Sequence, residues 1–209
     1  ALLASDLLGI SNRYIDRDLF VLPRQKSQPF LIQASDRAIL KDSARYRVFE
    51  PNLQLSGART AYFHNAIGGY HGAKPRRFEE LYEYFSANQI EGVLYMLNVK
   101  YILFEKEKEQ KFIQNPNAMG NAWFVDSLFV AFDADGVLNK MKSLNFENGA
   151  IVLASETPEN IKLTFYADSL SRIDLTKAYP NRLEYKFSSS EEQMVVFSEM
   201  YYPHGWKSF

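Results

Sequence analysis

Apolar positions along the chain change their period part-way, and that change organises the reading. Phe78, Leu81, Tyr82 and Phe85 fall at i, i+3, i+4 and i+7 with Glu79, Glu80 and Glu83 between them, the pattern of an amphipathic helix. Pro75 suits its first turn, where a missing N–H costs nothing. Ile90, Val93, Leu94 and Leu97 repeat the spacing, and the β-branched and aromatic run Val99-Lys100-Tyr101-Ile102-Leu103-Phe104 then predicts a buried strand. Tyr46-Arg47-Val48-Phe49 is a second strand, and Trp123 to Phe132 predicts one long or two short strands around Asp126-Ser127. A last helix starts at about Asp135 and places Val137, Leu138, Met141 and Leu144 on one face.

From about Gly149 the period drops to two. Ile161, Leu163 and Phe165 alternate with Lys162, Thr164 and Tyr166; Ile173 and Leu175, then Leu183, Tyr185 and Phe187, continue the alternation. Met194-Val195-Val196-Phe197 reads as a strand buried on both sides. The expected fold class is α+β: a mixed α/β subdomain over 1–147, a small mixed sheet with packed helices, followed by a β-sandwich-like subdomain over 148–209. Its last strand has no visible successor, so the sandwich is expected to be incomplete and the native chain to continue.

Composition narrows the function classes. Hydrophobic residues make up 46% and charged residues 23% of 209 positions, which excludes disordered, collagen-like and coiled-coil classes. A formal net charge of -1 argues against a nucleic-acid partner, whose affinity rests on positive charge. With no cysteine, a disulfide framework, thiol catalysis and thiolate metal ligation are excluded. No run approaches the roughly 18 to 20 apolar residues of a spanning helix. The apolar start, Ala1 to Ile10 with Ser5 and Asp6 as its polar members, reads either as the exit of a hydrophobic segment or as a short amphipathic helix. The charge run Glu105 to Lys111 reads as a solvated turn or helix cap.

Candidate chemistry concentrates in one loop. Gly68-Gly69-Tyr70-His71-Gly72-Ala73-Lys74-Pro75-Arg76-Arg77 is glycine-rich and runs into a helix start, where free backbone N–H groups and the cations Lys74, Arg76 and Arg77 suit a phosphate or carboxylate. Basic residues in a first helical turn oppose the macrodipole, a local rule broken in the manner of functional sites. The alternative is that both arginines pair with Glu79, Glu80 or other surface acids. The loop lacks the spacing of a P-loop. The three histidines, His64, His71 and His204, do not show the i, i+4 spacing of zinc hydrolases, so no metal and no cofactor is expected. Asp133-Ala134-Asp135-Gly136 reads as a helix cap at Asp135 or as a cation-holding acid pair. Trp123, Trp206, Tyr201 and Tyr202 are either core or a platform for stacking sugars. No nucleophile elbow appears, and no catalytic residue is assigned.

Three long strings carry a resemblance: Ile67-Gly68-Gly69-Tyr70-His71-Gly72-Ala73-Lys74, Leu94-Tyr95-Met96-Leu97-Asn98-Val99-Lys100-Tyr101-Ile102 and Asn115-Pro116-Asn117-Ala118-Met119-Gly120-Asn121-Ala122-Trp123-Phe124-Val125. With Asp6-Leu7-Leu8-Gly9, Arg13-Tyr14 and Phe197 to Lys207, the chain resembles the YfhO-type family of bacterial integral membrane proteins in its Bacteroidetes-like form. The resemblance implies a large extracytoplasmic region, on the outer face of the cytoplasmic membrane, of a polytopic protein similar to polyprenyl-phosphate-sugar-dependent glycosyltransferases. Its partners would be its own transmembrane region and a glycan or lipid-linked sugar. In that class the catalytic acid lies in an early extracytoplasmic loop, and no position here inherits that role. Tyr70, His71, Lys74, Arg76 and Arg77 become the candidate contacts to a glycan or phosphate. The remaining reading is a non-catalytic carbohydrate-binding or structural module.

Overall fold

The computed structural model describes residues 2–14, 20–70, 72–166, 170–202 and 204–209, the first five of these by backbone alone. Its contacts divide the chain into two compact units, Ala1–Gln33 and Ala34–Phe209. The first holds α1 (Leu2–Tyr14) and α2 (Pro23–Ser27). The apolar start is thus helical, and Leu7, Leu8 and Ile10 on it are exposed. No described helix is long and apolar enough to cross a membrane.

The second unit is α+β. Its centre is a sheet ordered β1-β2-β3, with β1 (Arg47–Phe49) parallel to β2 (Val99–Lys106) and β2 antiparallel to β3 (Glu109–Gln114). Along β2 the burial alternates, with Val99, Tyr101 and Leu103 inside, and the aliphatic Val99 and Leu103 each contribute about 1.5–3 kcal/mol by leaving water. The charge run expected as a turn is the β2–β3 hairpin: Glu107 and Lys108 both take positive φ, 56° and 64°, as a two-residue turn matched to the strand twist requires.

Helices cover this sheet. The Phe78–Phe85 periodicity forms α5 (Arg76–Asn88), with Pro75 one residue earlier than expected, at the N-cap. Residues 90–97 form only the short α6 (Gly92–Met96), because Asn98 turns the chain at φ 53° into β2, a conformation Asn tolerates better than most residues. Val93, Leu94 and Leu97 from this segment pack with Phe49, Phe78 and Val99 in the main core. Two further short helices, α3 (Ala34–Ile39) and α4 (Ala58–Phe63), precede α5, and α7 (Ala134–Met141) follows the sheet. The N-cap of α7 is Asp133, whose Oδ1 accepts from Gly136 N at 2.7 Å; the cap is thus two residues earlier than the expected Asp135, which lies in the first turn.

The second half of the unit departs from the expectation. Trp123 to Phe132 does split, into β4 (Ala122–Val125) and β5 (Ser127–Ala131). β6 (Gly149–Leu153) runs parallel to β5, β9 (Met194–Phe197) pairs antiparallel with β4, and β7 (Arg172–Tyr179) with β8 (Arg182–Ser188) makes a hairpin. These are two-stranded pairs; a sandwich over 148–209 is not seen among the described residues, and two pairs bridge the expected boundary at 147/148. Alternation with one wet face fits a hairpin laid on a body as well as it fits a sandwich layer, which is why the period alone misled. Residues 161–165 form no strand, only a bridge between Thr164 and Ser127. β9 is half-buried rather than covered on both sides, with Phe197 exposed.

Candidate functional site

The glycine-rich loop takes its shape from close packing. A Cβ built on Gly68 would stand 2.5 Å from the Leu55 Cα and 2.8 Å from its carbonyl carbon and oxygen; this approach lets Gly69 N donate to Leu55 O at 2.9 Å. Beyond it Tyr70 is 86% exposed and Lys74 half-buried. His71 lies outside the described residues. Arg76 Nε donates to Glu80 at 2.7 Å along the exposed face of α5, and Arg77 reaches Glu156 at 2.6 Å. The bond to Glu156 raises Arg77 above its ordinary pKa, and that of Glu156 falls below its own for the same reason. Both arginines therefore already hold carboxylates, the alternative left open by their sequence.

A cleft of about 490 Å³ opens elsewhere, lined by residues 43–45, 119–122 and 173–178. This volume falls in the range of small-molecule sites. Its walls are the turn before β1, the segment entering β4, and the open face of β7. Gly120, at φ 82°, lets the chain turn along the wall, and Asn121 is fixed by Ser198 N donating to its carbonyl at 3.0 Å. Of the lining residues, Arg45 belongs to an ion-pair group that extends behind the wall: Arg45 Nη2 and Arg47 Nη2 each meet one oxygen of Glu199 at 3.0 Å. Arg47 also donates to the carbonyls of Leu97, at 2.9 Å, and Ser198. Burial pulls Arg47 below its ordinary pKa, opposed chiefly by the charge of Glu199 and then by the hydrogen bond to it. The Tyr185 hydroxyl is buried beside this group with no hydrogen-bond partner among the described residues, and burial first, then the Glu199 charge, raise its pKa.

Two other polar clusters support the fold. Asp36, fully buried, accepts from Arg59 and meets His64 Nε2 at 3.0 Å. Gln110 joins this group by accepting from Ser35 Oγ at 2.8 Å and from Arg59 Nη1 at 3.1 Å. His64 is thus a satisfied structural histidine. Asp42 accepts from Lys100 at 2.5 Å and from the Tyr101 hydroxyl at 2.9 Å. Its pKa is lowered chiefly by the Lys100 bond; that of Tyr101 is pushed up to about 12, by burial first and by Asp42 second. No group of three or more His, Asp or Glu side chains among the described residues is placed to hold a metal.

Of the proposed sugar-stacking residues, Trp123 is half-buried and donates Nε1–H to Phe146 O at 3.1 Å. Tyr201, Tyr202 and Trp206 are exposed, and the Trp206 indole donates to Met200 O at 2.9 Å. Sequence reasoning missed the cleft and the Arg45–Arg47–Glu199 group. The one signal for it was an arginine inside a strand that otherwise reads as core, Tyr46-Arg47-Val48-Phe49.

Comparison with protein-family models, with curated proteins and with solved structures finds no match for this chain.

Proposed function

We propose that this chain is an extracytoplasmic accessory domain of a polytopic membrane protein resembling polyprenyl-phosphate-sugar-dependent glycosyltransferases, and that it holds a saccharide without performing the transfer. The observation that carries this reading is where the resembling segments go. Residues 94–102 and 115–125 lie on either side of the β2–β3 hairpin and meet through Met119 N to Tyr95 O at 3.1 Å, Asn115 N to Lys100 O at 2.8 Å and Asn98 Nδ2 to Asn121 Oδ1 at 3.4 Å. Ser198 joins them by donating its N–H and Oγ–H to Asn121 O. These strings therefore support the reading as one shared scaffold, and residues 119–122 of that scaffold form a wall of the 490 Å³ cleft.

The cleft replaces the glycine-rich loop as the favoured saccharide contact, since the loop's arginines are engaged by Glu80 and Glu156. A saccharide site needs a shaped wall with a few fixed polar groups, and the cleft supplies both. The test uses the full reading frame in membranes. Ala178→Trp places a large ring on the exposed, cleft-lining end of β7 and should depress sugar transfer while leaving the amount of folded protein unchanged. Transfer at the unsubstituted rate would sink the reading. A purely structural module is the second reading, favoured by the pairing of Arg76 and Arg77 with carboxylates.

A further inference from the structure

The charges around the cleft do not balance, and they fail to balance twice. Arg45 and Arg47 share the single carboxylate of Glu199. On the hairpin, Lys177 at 3.4 Å and Arg182 at 3.0 Å share Glu184. Asp174 is the one carboxylate among the described lining residues, and Arg172 already holds it. Each shared carboxylate leaves one positive charge over, in a chain whose formal net charge is -1.

Arg45 is also the member of its group with donors to spare. Nε and Nη2 both go to Glu199 Oε1, at 3.3 and 3.0 Å. A guanidinium carries five N–H donors, and Nη1 of Arg45 has no partner among the described residues. Its side chain is 33% exposed and lines the cleft. Arg47, 8% exposed, spends its donors on backbone carbonyls and Glu199. The pair thus divides the work: Arg47 anchors Glu199, and Glu199 holds Arg45, whose partly exposed side chain lines the cleft.

We propose that the cleft reads an anionic group on a saccharide, a carboxylate or a phosphate, through the Nη1 edge of Arg45, with Lys177 adding longer-range attraction. This rests on the cleft being the saccharide contact. Charge-assisted hydrogen bonds from a pre-oriented guanidinium are the stronger kind. Partial exclusion of water in a cleft strengthens them further.

The experiment titrates the chain with glucuronate, a hexose phosphate and glucose at matched ionic strength, followed by amide NMR shifts. At least one anion should bind about tenfold or more tightly than glucose, shift residues 43–45, 119–122 and 173–178, and weaken with added salt. A preference for glucuronate alone identifies a carboxylate as the source, one for the hexose phosphate alone a phosphate. Arg45→Gln should abolish the preference; should that variant not fold, Lys177→Gln, exposed on β7, should reduce it. Glucose binding in the cleft as tightly as either anion overturns the anion inference and leaves the saccharide reading standing. No saturable shift there with any of the three overturns both.

Discussion

Gly68→Ala separates packing from ligand binding as the reason for the glycine-rich loop. The added methyl carbon would lie 2.5 Å from the Leu55 Cα, against about 3.5–4.0 Å for a favourable carbon–carbon contact. Relief therefore needs a movement of about 1 Å, and the obstacle is backbone rather than a side chain that swings aside. Moving it strains the hydrogen bond from Gly69 N to Leu55 O, and Leu55 is itself a buried member of the main core. Overpacking of this kind costs about 1–3 kcal/mol. For a chain of this size each kcal/mol lowers Tm by about 2–4 °C, so thermal unfolding should shift down by about 2–12 °C. Gly72→Ala is the matched control: nothing lies within 4 Å of its built Cβ, and a loss of unfolded-state freedom of about 0.4–1 kcal/mol should leave Tm unchanged or slightly raised. A Gly68→Ala protein as stable as the parent would refute the packing account and return the loop to the list of ligand sites.

Asp36→Asn removes the charge that Arg59 and His64 share in a buried setting; because the Arg59 side chain keeps 17% exposure and regains some water, the loss should sit near the lower end for broken buried pairs, about 3 kcal/mol, read by urea unfolding. An undiminished midpoint would contradict it. Tyr101, raised from 10.0 to about 12, is protonated more readily in the folded chain, so its contribution to stability is complete below pH 10.0 and is lost as pH rises through about 12. Asp42 runs the other way: its lowered pKa contributes stability above the ordinary 3.8 that disappears as pH falls through the folded value. An ultraviolet tyrosine titration should show a group of late-ionising phenols, Tyr46, Tyr82 and Tyr185 among them, whose last phase, near pH 12, Tyr101→Phe removes; loss of that last phase in Tyr46→Phe instead would reassign it.

How much of this was legible in the sequence depends on the range of the interaction. Local periodicity sufficed for α5, for β2 and for the break between β4 and β5, because the signals are set by residues three or four apart, or by a polar pair within a strand. It failed at residues 161–165, where the same alternation produces one bridge to Ser127, since pairing needs a free edge that no window of sequence reveals. The α+β class was readable; the partners of β6 and β9 were not, because both pair back across the expected boundary at 147/148, with β5 and β4. The site divides the same way. Glycine-rich character and clustered cations could be seen in 68–77, but Glu156 lies 79 residues from Arg77 and Glu199 lies 154 from Arg45, so neither the neutralisation of one cluster nor the assembly of the other is a property of local sequence.

The most direct test of the central claim is to incubate the chain with a cell-envelope oligosaccharide, record amide NMR spectra, and then determine the length of the recovered saccharide. The account predicts saturable shifts at residues 119–122 and 173–178, loss of those shifts in Ala178→Trp, and an oligosaccharide recovered intact. Shifts confined to residues 68–77, or shortened saccharide products, would contradict it.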